Sequence, residues 1–204
     1  MKKTFTLIVI MAASVHFAQA QQTRFGFQAG MSMAKIHSEG GGESSNTDLK
    51  LGFTAGLMMD YTLGKHLAFQ PELTWMQKGG QESSDVTSKI SLNYLEIPLK
   101  LLYRSHGDHG FFIGGGPAIA YGMGGKFKAG DFSSKLHFGS GPNDLGKPID
   151  FSLLATAGYL SQRGFQVSFT YDQSLSNYSN ESGYSIRNNY MALRVGYLFK
   201  SGKH

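Results

Sequence analysis

LGFTAGLMMDY, residues 51–61, places Leu51, Phe53, Ala55, Leu57, Met59 and Tyr61 on one side and Gly52, Thr54, Gly56, Met58 and Asp60 on the other. A period of two describes a strand with two unlike faces. One face is bulky and apolar, while the other is small and polar.

The same reading extends outward to seven further stretches, eight in all. The first, over 25–33, sets Phe25, Phe27, Ala29, Met31 and Met33 against Gly26, Gln28, Gly30 and Ser32. The third sets Leu67, Phe69, Pro71, Leu73 and Trp75 against Ala68, Gln70, Glu72, Thr74 and Met76. The fourth sets Leu95, Ile97, Leu99, Leu101 and Tyr103 against Glu96, Pro98, Lys100, Leu102 and Arg104. A Gly-rich fifth carries Ile113, Pro117, Ile119 and Tyr121, and the sixth carries Phe151, Leu153, Ala155, Ala157 and Tyr159. The seventh opposes Phe165, Val167, Phe169 and Tyr171 to Gln166, Ser168, Thr170 and Asp172. The eighth opposes Met191, Leu193, Val195, Tyr197 and Phe199 to Ala192, Arg194 and Gly196.

Connections alternate in length. Long polar links cover 35–50, 78–89, 124–149 and 174–188, and short turns cover 62–66, 105–110 and 161–164. No stretch after the first twenty residues is apolar for long enough to form a spanning helix, so membrane residence requires a closed barrel, which leaves no backbone group unpaired in lipid. The expected fold is all-β: an eight-stranded antiparallel up-and-down transmembrane barrel, with short turns on the periplasmic side and long loops outside. Phe25, Tyr61, Tyr103, Tyr159, Phe165, Tyr197 and Phe199 then fall at periplasmic strand ends, and Trp75, Tyr121, Phe151, Tyr171 and Tyr190 near outer ends. Those are the positions of two interfacial aromatic girdles.

A small barrel interior holds small and polar side chains, so the bulky face is assigned to lipid. Gln28, Asp60, Gln70, Glu72, Glu96, Lys100, Arg104, Asp172 and Arg194 turn inward as a lumen network. Mutual pairing of Glu72, Glu96, Lys100 and Arg194 would plug the barrel. Two features strain the pattern. Ile90, Leu92 and Tyr94 share the parity of Glu96, which calls for a bulge near Tyr94 or a strand rising above the lipid. Pro71, Pro98 and Pro117 each remove a ladder donor, and bulges are expected there too.

Residues 1–20 read as a signal peptide: Lys2 and Lys3, an apolar run from Leu7 to Phe17, then Ala18-Gln19-Ala20 before the barrel domain, 21–204. Without the two leader lysines the formal charge falls from +5 to +3, and Lys and Arg are scattered along the chain, which gives no nucleic-acid footprint. There is no cysteine, so disulfides contribute nothing to this exported chain.

The segment Tyr94-Leu95-Glu96-Ile97-Pro98-Leu99-Lys100 resembles a strand motif of PorT-like outer-membrane β-barrel proteins. The Gln-rich mature start, Gly114 to Pro117 and the closing Tyr197-Leu198-Phe199 fit that family as well. The resemblance implies an outer-membrane location. It also implies either a porin-like role or, as for the family's namesake, a part in protein secretion.

Other constellations carry little chemistry. Gly141 to Lys147 has P-loop spacing, but Pro148 stands where Ser or Thr should reach magnesium. His106, Asp108 and His109 share one turn and read as a solvated cluster short of a zinc ligand set. No cofactor is expected. Three functions stay open. One is a structural, binding or weakly porin-like barrel whose partner is outer-membrane lipid. A second is an accessory part of an envelope or secretion complex. The third is a lipid- or peptide-modifying enzyme using loop residues such as His137 and Ser140, although no spacing demands a catalytic group.

Overall fold

The computed structural model describes residues 23–82, 88–139, 141, 144–177, 179 and 183–199. The expected leader and its cleavage site lie outside the described residues. Eight long strands make the wall: β1 (Thr23–Gly40), β3 (Lys50–Thr62), β4 (Leu67–Glu82), β5 (Ser88–Arg104), β6 (Gly110–Ala129), β8 (Ile149–Leu160), β9 (Phe165–Ser174) and β10 (Tyr184–Leu198). Each pairs antiparallel with the next, and β10 closes on β1 from Gly26↔Leu198 to Gly40↔Tyr184. Two short strands, β2 (Glu43–Asn46) and β7 (Phe132–Leu136), fold back on β1 and β6 beyond the wall.

Alternation dictates which residues meet what. Phe53 is 64% exposed, Leu73 43% and Leu193 54%, all on the outer surface, while Thr54, Thr74 and Arg194 beside them are buried inside. In water such a surface would be ruinous. In hydrocarbon it is the required one, because the closed ladder pairs its backbone groups strand to strand.

Two expectations are corrected. The prolines need no bulges: the β3–β4 register is the same before and after Pro71, as is β4–β5 across Pro98 and β5–β6 across Pro117. The ladders simply lapse for two residue pairs at each site. At Tyr94 the expected strand rising above the lipid is found, since β5 runs from Ser88 to Arg104 in one phase. Leu92 and Tyr94 point inward with Glu96 and are buried. A bulge does lie between Asn93 and Tyr94, but the extra residue is on the partner strand, since Asn93 pairs Gly124 and Tyr94 pairs Gly122, leaving Met123 over. Gly124 sits at φ 114°, a conformation that suits glycine. Finally, the long links are partly strand: β1, β4, β5 and β6 continue above the lipid-facing belt to Gly40, Glu82, Ser88 and Ala129.

Candidate functional site

The barrel interior holds the densest chemistry. Gln28, Asp60, Gln70, Glu72, Glu96, Lys100, Arg104, Asp172 and Arg194 are all buried there. Near the short-turn end, Asp60 accepts hydrogen bonds from Arg24 at 3.0 Å, from Arg104 at 3.1 Å and from the Gln70 amide at 3.3 Å. Gln70 also donates to Gln166 at 3.3 Å. In the middle, Glu72 pairs with Lys100 and, at 3.5 Å, with Arg194. Gln28 is buried, and its amide makes no hydrogen bond to another described residue.

A third layer lies toward the long-loop end. Lys78 stands 3.1 Å from Glu96, 3.2 Å from Asp150 and 4.0 Å from Asp172. The Tyr190 hydroxyl donates to Glu96 at 2.7 Å, Ser152 to Asp172 at 2.6 Å and Ser174 to Asp150 at 2.6 Å. The Lys78 ammonium also faces the Tyr94 and Tyr190 rings at about 5 Å.

Arg24, Lys78, Lys100, Arg104 and Arg194 therefore oppose Asp60, Glu72, Glu96, Asp150 and Asp172 within one interior. Five cations and five carboxylates leave that set neutral, and neutrality limits the desolvation cost of burying charge. Sequence reasoning missed Arg24, Lys78 and Asp150, and it put Gln166 on the inward face without naming it in the network. It also placed Tyr190 in the outer girdle, whereas Tyr190 is buried in the lumen against Glu96.

Apolar clusters flank these layers. At the short-turn end Met58, Leu102, Phe112, Leu160 and Leu198 pack together. At the other end Ala34, Met76, Leu92, Tyr94, Ala120, Tyr190 and Ala192 form a second cluster, covered by Leu136, Phe138 and Leu145 from the third long loop. The Phe138 ring meets Tyr94 edge-on, centroids 5.4 Å apart. It occupies the space above Gly122, where a Cβ would come within 2.3 Å of the ring. Gly122→Val is accordingly expected to expel Phe138 while the barrel still folds. Proteolysis of the 137–148 loop should then speed up by at least about tenfold, read by timed digestion and mass spectrometry.

The remaining aromatics from the sequence reading all sit on the outer wall. Phe25, Tyr103, Tyr159, Phe165 and Phe199 are exposed, and Tyr61 and Tyr197 partly so, toward the short-turn end. Trp75, Tyr121, Phe151 and Tyr171 are exposed toward the other end. Among the described residues no group of three metal-ligating side chains converges. In the short turn, His106 stacks on His109, and the hydrogen bond from His109 holds the Asp108 carboxyl below its usual range. His137 is exposed, and Ser140 lies outside the described residues.

A family model described as the outer membrane protein beta-barrel domain matches residues 17–180. The chain belongs to this family. Its place is the outer membrane. Among solved structures, Ail, the attachment invasion locus protein of Yersinia pestis, is 14% identical, with 87% of this chain and 99% of that one covered and a TM-score of 0.47. Neisserial surface protein A is 13% identical over 86% of this chain and 97% of that one, with a TM-score of 0.45. No curated protein matches the chain.

Proposed function

We propose that this outer-membrane barrel is a non-conducting anchor, whose lumen is a solid ionic core and whose binding role belongs to the strands above the outer leaflet. One observation supports this most. The mid-lumen side chains of Glu72, Lys100, Thr74 and Arg194 are buried, and an apolar cluster lies at each end. An ion crossing would have to displace paired charges and then pass hydrocarbon side chains, both costly steps. A weak porin-like role is the less supported alternative for that reason.

Planar-bilayer recording tests the reading. The purified barrel is expected to give no discrete current steps at any applied voltage. Reproducible steps that scale with protein inserted would overturn it.

The accessory role in an envelope or secretion complex draws on the Tyr94–Lys100 motif. Barrel construction already accounts for those residues. Leu95, Ile97 and Leu99 face lipid, while Tyr94, Glu96 and Lys100 fill the lumen. The motif therefore favours a shared wall over a shared partner. Affinity capture from envelopes addresses the partner directly, and recovery of the barrel alone counts against one.

A further inference from the structure

Lys89, Lys126, Lys128 and Lys135 are far apart in sequence, and the fold gathers them. Lys89 pairs Lys128 across β5–β6, and Lys126 pairs Lys135 across β6–β7. All four are exposed. Directly opposed residues share one face of a sheet at about 5 Å between Cβ atoms, and like charges there oppose folding. None of the four makes an ion pair with a described carboxylate. Asp131 lies in the β6–β7 turn, and Asp48, bridged to Gln81, stands two strands from Lys89 in the same row.

The bulge at Met123 aims this patch. Below it, Ala118, Ala120 and Gly122 point inward, so even-numbered residues of β6 face the lumen. The extra residue inverts the parity, turning Lys126 and Lys128 outward with Ser91 and Lys89. Re-aiming side chains is a usual effect of a bulge. Without it both lysines would point over the apolar mouth.

Height identifies the occupant. Trp75, Leu95 and Tyr121 stand side by side at the outer edge of the lipid-facing belt, and Gln77 and Asn93 follow one step higher, their amides hydrogen-bonded at 3.4 Å. The Lys126–Lys135 pair is four residues up β5 from Leu95, and the Lys89–Lys128 pair six. At the usual rise and tilt these rows lie roughly 10 and 15 Å above the aromatic row along the membrane normal. That is the depth of phosphate-bearing head and core sugars in an outer-leaflet glycolipid.

We infer that Lys89, Lys126, Lys128 and Lys135 form a docking face for the phosphorylated headgroup of an outer-leaflet glycolipid such as lipopolysaccharide. The inference rests on the outward placement of this end, as in the proposed function, but not on the closed lumen. A conducting barrel would leave it standing.

Titrating the detergent-solubilised barrel with lipopolysaccharide, read through the emission of Trp75 just below the patch, tests it. The wild type is expected to bind. A variant with all four lysines changed to glutamine should bind at least about tenfold more weakly, since each lysine near an anionic surface contributes appreciably. A four-fold lysine-to-arginine variant should bind like wild type. Lipopolysaccharide stripped of phosphate should bind like the glutamine variant, and inorganic phosphate at matched concentration should not displace it. Each variant is first shown to be folded by its heat-dependent gel mobility. Equal binding by the glutamine variant, or by the dephosphorylated lipid, overturns the assignment. So does displacement by inorganic phosphate or by a soluble sulfated polysaccharide, which would give the face to a free anion.

Discussion

Asp60→Asn is expected to destabilise the barrel by about 3–5 kcal/mol, the usual cost of removing one partner from a buried ion pair. Asp60 is fully buried and is the only carboxylate within ion-pair distance of Arg24 and of Arg104 among the described residues. Asparagine keeps the shape and part of the hydrogen bonding but strands two guanidinium groups. These cannot shed their protons and so cannot escape the penalty by neutralising. Urea titration in phospholipid vesicles measures it, with the chain's single tryptophan, Trp75, as reporter of insertion. Two controls separate burial from pairing. Asp108→Asn removes a carboxylate that is hydrogen-bonded to His109 and whose side chain is 64% exposed, and should shift stability by less than about 1 kcal/mol. The triple change Asp60→Asn, Arg24→Met, Arg104→Met should recover most of the loss, because an uncharged set leaves no charge unpaired. If Asp60→Asn alone stays within about 0.5 kcal/mol of wild type, the lumen is wetter than described and the core is not ionic in the sense argued.

The wall was legible in the sequence because lipid imposes a strict rule on every second residue. Phe53, Leu73 and Leu193 follow that rule, and so do the inward Asp60, Glu72 and Arg194. The rule stops where the lipid stops. Leu92 and Tyr94 break the alternation because an apolar side chain has two good places in this molecule, facing hydrocarbon or sealing the barrel mouth. Hydropathy does not tell them apart. Tyr190 went astray for the same reason: its ring suits an interfacial girdle as well as a lumen, and its parity with Ala192 and Arg194, not its chemistry, places it inside against Glu96. Lys78 and Asp150 flank stretches that read as polar loop, yet β4 and β8 carry both inside. The gathered lysines depend on one unpaired residue at Met123, a feature of strand pairing that no single-strand pattern contains.

Lys78→Met is the second change with a large expected effect, and its logic is the mirror of the first. One ammonium stands among Glu96, Asp150 and Asp172, none more than 4.0 Å away. Methionine matches the length of the stem and packs well beside Tyr94 and Tyr190, so shape is nearly conserved. What disappears is the positive charge between three buried carboxylates. The cost should again be about 3–5 kcal/mol in the same urea titration. Neutralising one neighbour should then restore part of it. Asp172→Asn in the Lys78→Met background is expected to be more stable than Lys78→Met alone, although Asp172→Asn in the wild type removes a charge that Lys78 helps to balance. Such a sign reversal is a coupling that packing alone does not produce, and a double-mutant cycle isolates it. Arg194 gives the comparison from the next layer: its Nη2 donates to the Tyr190 hydroxyl at 3.4 Å, and that hydroxyl donates to Glu96. If the effects of Lys78→Met and Asp172→Asn merely add, the outer layer is held by hydrocarbon contacts around Tyr94 and Phe138, and its charges are passengers.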